Sequence, residues 1–262
     1  MLSYQHGFHA GNRADVLKHA ALDAILRGLL DQHRRFLFVD THAGRGRYDL
    51  TGPQAMKTGE AQTGVQALLE PTAAIGNLAP WLSLVNAAGD KAYPGSPALA
   101  RARLTEKGRL VLFEKHPAEA AALAAVFDGD PAVQVKREDG YAGALRLAPR
   151  RGEHLVVFSD PSYETLKDME ALSDWTPRAL ARWPSATIIV WLPLFKDGRE
   201  EAFGAFLSQL ERGIVAGARW PETSDKDTAL CGSALIAYRV PASIAKEAAE
   251  IAAELEAYWN SD

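Results

Sequence analysis

The chain has 262 residues, of which 47% are hydrophobic and 24% charged, and this composition is typical of a globular protein with a sizeable core. No run approaches the ~18 apolar residues of a membrane span, and the N-terminal stretch lacks the apolar part of a secretion signal, so we expect a cytoplasmic protein. The single cysteine, Cys231, excludes an internal disulfide.

The net charge of −4 argues against a protein that is basic throughout. Residues 1–151 nevertheless carry 19 Lys and Arg against 15 Asp and Glu, whereas residues 152–262 carry 10 against 18. This imbalance suits a protein that binds a polyanion on one side, and it equally suits charge that is scattered over the surface.

The first helix is predicted over residues 13–30, because Asn12 is a suitable N-cap and an apolar stripe follows it. Asp15 and His19 lie four residues apart and therefore share a face of this helix. Further helical patterns cover residues 60–69, 97–106, 118–126, 166–183, 200–212 and 245–258.

Between the helices lie short runs rich in Val, Ile, Leu and Phe, which predict strands at residues 36–40, 110–114, 133–136, 155–159, 187–192 and 234–240, with a weaker one at 214–220. Continuous apolar runs are typical of strands buried on both faces, hence of a largely parallel sheet flanked by helices. The predicted fold class is a doubly wound, Rossmann-like α/β sheet.

The distance between the first two strands is too long for a compact βαβ unit. The acid that ends the second strand is expected about 20 residues after the glycine loop, whereas Glu114 lies much further from Gly46. We therefore predict an inserted helical subdomain at residues 48–92, between a first part, 1–47, and the remainder, 93–262.

The segment Asp40-Thr41-His42-Ala43-Gly44-Arg45-Gly46 directly follows the first strand, where glycines such as Gly44 allow a ligand to approach the backbone. A glycine pair also occurs in ordinary turns. Asp49 stands where the third glycine of the dinucleotide motif would fall, which argues against NAD.

Acidic residues end the next two predicted strands. Glu114 could accept hydrogen bonds from a ribose diol, and Asp139, which precedes Gly140, could accept one from an adenine amino group. Strand ends are polar in many proteins, so each residue alone is a weak signal, but their order at successive strand ends supports a nucleoside site.

The chemistry is indicated by Asp160-Pro161-Ser162-Tyr163, which follows the strand Leu-Val-Val-Phe-Ser. The Asp160 carboxylate and the Pro161 carbonyl could accept both hydrogens of an exocyclic adenine amine, a weak nucleophile, while Tyr163 would stack on a base turned out of its strand. The alternative is a capping Asp-Pro turn without catalytic function.

Several polar residues crowd the N-terminal run Tyr4, His6, His9, Asn12, Asp15, Lys18 and His19. Three histidines suggest a metal, but no thiolate joins them and His6 and His9 fall on an irregular segment, so we predict no metal site. Contacts to cofactor and RNA are the preferred interpretation, with Tyr4 for stacking, Lys18 for phosphate and His6 beside them.

These motifs together resemble a known family. LSYQHGFHAGNRADVLKH, DTHAGRGRYDL, YPGSP, the acid of FEKHP, EDGY and SDPSYE match, in order and nearly in spacing, the J-type large-subunit ribosomal RNA adenine-N6 methyltransferases of bacteria (RlmJ). In this chain Asp-Pro-Ser-Tyr replaces the family's Asp-Pro-Pro-Tyr, and the C-terminal third matches only in pattern.

The resemblance implies a class I methyltransferase fold with a helical insertion, S-adenosylmethionine as methyl donor, and 23S ribosomal RNA free of assembled ribosomal protein as substrate. Residue by residue, it implies cofactor contacts at His19, His42, Ser96, Glu114, Asp139, Gly140 and Asp160. Asp160 would also be the catalytic residue, and Tyr4 would contact RNA.

Two other functions remain open at this point. One is adenine-N6 methylation of DNA, which uses the same four-residue motif as Asp160 to Tyr163. The other is a non-catalytic RNA-binding relative that has lost its methyl donor site, although the acids at positions 40, 114, 139 and 160 argue against such a loss.

Overall fold

A seven-stranded sheet forms the centre of the protein. The computed structural model describes residues 5–70, 76–211, 213–221 and 229–261. Within these residues the strands of both sheets, the seven-stranded one and a separate two-stranded one, are β1 (Phe36–Asp40), β2 (Arg47–Asp49), β3 (Ala92–Pro94), β4 (Gly108–Phe113), β5 (Val133–Lys136), β6 (His154–Ser159), β7 (Thr187–Phe195), β8 (Gly213–Arg219) and β9 (Leu230–Tyr238).

The large sheet has the strand order β5-β4-β1-β6-β7-β9-β8. Neighbouring strands from β5 to β7 are parallel, whereas β9 runs antiparallel to both β7 and β8. The carboxyl ends of β1, β4, β5 and β6 therefore meet at one edge. The predicted doubly wound α/β class is confirmed.

Helices cover both faces of this sheet. They are α1 (Arg13–Leu30), α2 (Pro53–Thr58), α3 (Glu60–Thr63), α4 (Val65–Leu69), α5 (Ala79–Ala87), α6 (Ser96–Leu104), α7 (Pro117–Val126), α8 (Gly140–Leu145), α9 (Leu166–Arg182), α10 (Glu201–Leu210) and α11 (Ala242–Trp259). None of the helices among the described residues is long and apolar enough to span a membrane.

Strand β1 shows why continuous apolar runs predicted this arrangement. All five of its residues are buried, but Phe36 and Phe38 belong to the core on the α1 side, whereas Leu37 and Val39 belong to the core on the α9 side. Alternate side chains point to opposite faces of a strand, so a strand between two helical layers needs apolar residues at every position.

Helix α1 begins where its cap predicts, since the backbone N–H of Asp15 donates to Asn12 Oδ1 over 2.9 Å. Burial extends well beyond the predicted apolar stripe, to 14 of the 18 residues. The reason is that α1 lies against the sheet and also contacts α6 and α11. Polar residues on its inner faces, including Asp15, Lys18 and His19, are consequently buried.

A two-stranded antiparallel ribbon that the sequence analysis missed connects the insertion to the sheet. Arg47 pairs with Pro94 and Asp49 with Ala92, so β2 and β3 begin and end the segment that carries α2 to α5. The division into residues 1–47, 48–92 and 93–262 stays a prediction, although these short helices do lie where the insertion is expected.

Several predicted boundaries differ from the structure. The helix expected at 60–69 is divided into α3 and α4 at Gly64, where an added Cβ would lie 2.1 Å from the Gly11 carbonyl oxygen. Strand β7 extends to Phe195, and β9 begins at Leu230 instead of residue 234, because the two strands pair along nearly their whole length. The insertion therefore packs on the N-terminal run through backbone at Gly11 and Gly64.

Candidate active site

An open cleft of about 280 Å³ lies at the carboxyl edge of the parallel strands. The loops that follow β1, β4, β5 and β6 form its walls, together with the start of α6. It is lined by most of the predicted site residues, namely His6, His19, His42, Gly44, Ser96, Glu114, Asp139, Gly140, Asp160 and Pro161. Residues far apart in sequence therefore share one site.

Asp40 ends β1 behind the cleft lining and is fully buried, in contact with the lining residues Ser96 and His42. Its Oδ2 accepts a hydrogen bond from Ser96 Oγ over 2.7 Å, and its Oδ1 accepts one from the backbone N–H of His42 over 3.0 Å. Burial raises the pKa of Asp40 to about 7, against the opposing effect of these hydrogen bonds. Ser96 is the first residue of α6, so this bond ties that helix to β1.

The glycine loop and Glu114 are directly connected. Gly44 has φ +58°, and a Cβ there would lie 2.3 Å from Tyr48 Oη, so the loop needs glycine at this position. The Gly44 N–H donates to Glu114 Oε2 over 2.9 Å, and the His116 N–H donates to Oε1 over 2.7 Å. Burial raises the pKa of Glu114. The two backbone donors hold the carboxylate at the cleft wall.

Asp139 and Gly140 have structural roles in addition to facing the cleft. The Asp139 side chain accepts a hydrogen bond from the Ala142 N–H over 3.0 Å and so caps α8. A Cβ on Gly140 would lie 1.9 Å from the Thr41 carbonyl oxygen. Glycine is therefore required for the start of α8 to pack against the loop that follows β1.

Asp160 lies at the end of β6 in a buried ion-pair network. Lys18 Nζ is 2.6 Å from Asp160 Oδ2 and 2.9 Å from Asp15 Oδ1, and His6 Nε2 is 2.9 Å from Asp15 Oδ2. Lys18 Nζ also lies 4.7 Å from the centre of the Trp191 ring. Burial raises the pKa of Asp160, and the Lys18 ammonium opposes that rise. The ammonium thus favours the ionised form of the Asp160 carboxylate, which burial disfavours.

Both histidines at the base of the cleft are neutral at physiological pH. Burial lowers the pKa of His19 to about 3 and that of His42 to about 4. His19 Nδ1 lies 2.7 Å from Tyr93 Oη, and the His42 ring meets the Tyr141 ring edge-on at 4.9 Å. Neutral imidazoles beside several carboxylates create a cleft suited to a cationic ligand.

Comparisons with known proteins identify the family. The model of the family described as "Ribosomal RNA large subunit methyltransferase D, RlmJ" matches residues 33–258. The chain belongs to this family. RlmJ-type enzymes named ribosomal RNA large subunit methyltransferase J from Escherichia coli and Haemophilus influenzae are each 34% identical to it, over 74% of this chain and 71% of theirs.

A crystal structure of a Legionella pneumophila protein has the same fold as this RlmJ-family chain. Its TM-score is 0.86 at 25% identity, and the match covers 96% of this chain and 94% of that one. The chain is therefore an S-adenosylmethionine-dependent ribosomal RNA methyltransferase with the expected class I fold. DNA methylation and a non-catalytic function are not favoured.

The environment of Lys18 differs from the one that the sequence suggested. We expected it to contact RNA phosphate, but its side chain is only 3% exposed and forms ion pairs with Asp15 and Asp160. A buried cation needs an anionic partner, and Lys18 Nζ has two, Asp15 on α1 at 2.9 Å and Asp160 after β6 at 2.6 Å. The phosphate assignment is therefore wrong for this structure, and Lys18 belongs to the environment of Asp160.

Tyr163 also differs from expectation. Its backbone has φ +51°, its Oη donates to the Trp191 carbonyl oxygen over 2.5 Å, and its ring packs edge-on against Trp191 and Phe203. The half-buried ring lies beside the cleft and not along its lining. Its stacking on a base stays a prediction. The predicted RNA contact Tyr4 lies outside the described residues.

Sequence reasoning missed Trp191 and Tyr93, and it gave Asp15 no partner. One signal was available, because Lys18 follows Asp15 by three residues and so shares a face of α1 with it, and a lysine that becomes buried there needs an anionic partner. Within the described ranges, no group of three or more His, Cys, Asp or Glu residues is arranged to hold a metal ion.

Proposed function

We propose that this protein transfers a methyl group to the exocyclic N6 of an adenine in 23S ribosomal RNA, with Asp160 and Pro161 holding the amine. The observation that carries this proposal is the buried Lys18–Asp160 ion pair at the end of β6, beside the cleft that contains Glu114. It supplies a carboxylate acceptor, paired with an ammonium, directly next to the Pro161 carbonyl.

The chemistry of the cleft fits S-adenosylmethionine. Glu114, anchored by two backbone donors, can accept hydrogen bonds from both hydroxyls of a ribose, while Asp139, which lines the same cleft, would accept one from the adenine amino group. The backbone N–H of Ser96, at the N-terminus of α6, suits the carboxylate of the amino acid. Bound in this way, the cofactor would supply an electrophilic methyl group on a positively charged sulfur.

The protein's own contribution is orientation. An exocyclic adenine amine is a weak nucleophile because its lone pair is delocalised into the ring. The Asp160 carboxylate would accept one amine hydrogen through Oδ1, since Oδ2 is engaged by Lys18, and the Pro161 carbonyl would accept the other. Alignment of this kind supplies most of the acceleration when the methyl group is already reactive. After transfer the amine is acidic and can lose a proton to Asp160 or water.

The substrate would be 23S ribosomal RNA that is free of assembled ribosomal protein, in the cytoplasm. A base must leave its strand to reach the end of β6, and such a base is accessible only in uncovered RNA. His6 lines the cleft and lies 2.9 Å from Asp15, so the N-terminal run borders the place where RNA would enter. Tyr4 is proposed to stack on RNA there.

The proposal is tested by transfer of tritiated methyl groups in vitro. Wild type should label naked 23S RNA, with the label recovered as N6-methyladenine, and should leave duplex DNA unlabelled. Asp160→Asn should lose at least about 100-fold in rate, because one preorganised polar contact is removed.

The matched control is Asp174→Asn, a similar change at an exposed residue of α9. It should retain the wild-type rate. Equal rates for Asp160→Asn and wild type, or preferential labelling of DNA, would contradict the proposal.

A further inference from the structure

Arg45 lies between the two loop glycines and forms a bidentate ion pair with Glu119 of α7. Its Nη2 donates to Glu119 Oε1 over 2.6 Å, and its Nε donates to Oε2 over 2.9 Å. The Glu119 side chain is only 5% exposed and lies at the cleft, 74 residues from Arg45 in sequence. Such bidentate pairs restrict orientation as well as adding energy.

This ion pair closes a ring of contacts around Glu114. Glu114 accepts from the N–H groups of Gly44 and His116, and His116 in turn accepts from the Glu119 N–H at its Nδ1 over 3.4 Å. Glu119 then binds Arg45, the neighbour of Gly44. The loop after β1, the acid after β4 and the first turn of α7 are therefore connected in a closed circuit.

The backbone is also closely packed along this circuit. Gly46 has φ +77°, and a Cβ there would lie 2.8 Å from Leu123 Cδ1, so the loop rests directly on α7. The Gly46 carbonyl oxygen accepts from the Gly95 N–H over 3.0 Å. The loop backbone is thus in contact on both sides of Gly46. A displacement of Arg45 would therefore move Gly44 and, through the Gly44 N–H, the Glu114 carboxylate.

We propose that Arg45 and Glu119 are positioning residues that orient the Glu114 carboxylate and so set the affinity for the nucleoside half of S-adenosylmethionine. The inference rests on the proposed role of Glu114 in binding ribose. Arg45 acts through the loop, without contact to the reacting atoms. Its removal is therefore expected to affect cofactor affinity and not turnover.

Arg45→Met keeps the apolar stem and removes the guanidinium. We expect it to raise the dissociation constants of S-adenosylhomocysteine and adenosine, measured by calorimetry, by about tenfold, the effect of one weakened charged hydrogen bond. The KM for S-adenosylmethionine should rise in parallel, with kcat at saturating cofactor within about twofold of wild type. Arg45→Lys, which keeps the charge and one contact, should lie between.

Two further variants distinguish a specific loss of cofactor affinity from a general loss of folding. Arg45→Met leaves the buried Glu119 carboxylate without its partner, so Arg45→Met/Glu119→Gln removes both charges and should show the same loss of affinity. Arg101→Met is the matched control, because Arg101 forms a comparable ion pair with Asp130, 2.6 Å long, away from the cleft. It should leave both dissociation constants unchanged.

The decisive comparison is Arg45→Met in a Glu114→Ala background. If Arg45 acts through Glu114, Arg45→Met should raise the dissociation constant of the Glu114→Ala protein by less than about twofold, because the two changes are coupled. An undiminished tenfold effect would overturn the inference. Unchanged affinities in Arg45→Met, together with weak binding by Glu114→Ala, would also overturn the inference. That result would leave the proposed ribose role of Glu114 intact. Unchanged affinity in Glu114→Ala would instead refute the ribose role itself and the inference with it.

Discussion

Replacement of Lys18 by methionine tests the ion-pair network most sharply. The change keeps the apolar stem but leaves Asp15 and Asp160 without the ammonium that lies 2.9 Å and 2.6 Å from their oxygens. The Lys18 and Asp15 side chains are at most 3% exposed and that of Asp160 is 13% exposed, so water reaches the network only at its Asp160 end. Removal of one partner from a buried pair costs about 3 to 5 kcal/mol of unfolding free energy.

The same variant should alter the pH dependence of methylation. Lys18 opposes the effect of burial on the pKa of Asp160, so its loss raises that pKa further. If turnover needs ionised Asp160, activity falls as pH drops through this pKa, and the acid limb of the kcat profile should move to higher pH. A raised folded-state pKa also means that stability decreases as pH rises, so the destabilisation should be larger at about pH 8 than at about pH 5.5.

Urea denaturation and single-turnover rates across pH measure both effects. Lys18→Met/Asp160→Asn is the control, since it removes the uncompensated carboxylate and should recover part of the stability while remaining inactive. Wild-type stability and an unmoved acid limb in Lys18→Met would show that the ammonium does not govern Asp160, and would refute the reasoning.

Changes at three other positions have defined outcomes. Glu114→Ala should weaken S-adenosylhomocysteine binding by about 1.5 to 3 kcal/mol in calorimetry, because charged hydrogen bonds to ribose are lost; an unchanged constant would exclude that contact. Burial raises the pKa of Asp40 from its ordinary 3.8 to about 7, so the folded protein retains a proton that the unfolded chain releases, and Asp40's contribution to stability falls as pH rises through this window. Asp40→Asn should therefore gain in urea stability relative to wild type between about pH 5 and about pH 7, and a constant difference would contradict this. Ser162→Pro and Ser162→Ala should both keep turnover within about twofold, because the amine acceptors are at positions 160 and 161; a collapse in both would reveal a role for the hydroxyl.

The sequence was sufficient to predict the sheet and the edge where the site lies. Continuous apolar runs revealed the buried strands, and acids at positions 40, 114, 139 and 160 end or follow four of them. Parallel strands bring their carboxyl ends together, so residues more than 100 positions apart could be placed in one site from strand ends alone.

Side-chain partners were beyond the same reasoning. Lys18 was assigned to RNA phosphate as one of the polar residues of the N-terminal run, whereas its position on a helix enclosed by the sheet and α11 buries it against Asp15 and Asp160. The Arg45–Glu119 pair spans 74 residues, and no periodicity signals it. Strands β2 and β3 have three residues each, too few to show alternation.

The most direct test of the central claim is the N6-methyladenine content of 23S ribosomal RNA, measured by mass spectrometry of nuclease fragments. A strain that lacks this protein should have lost one N6-methyladenine. Wild-type protein supplied in trans should restore it, and Asp160→Asn, produced at the same level, should not. An unchanged modification pattern in the deletion strain, or full restoration by Asp160→Asn, would contradict the account.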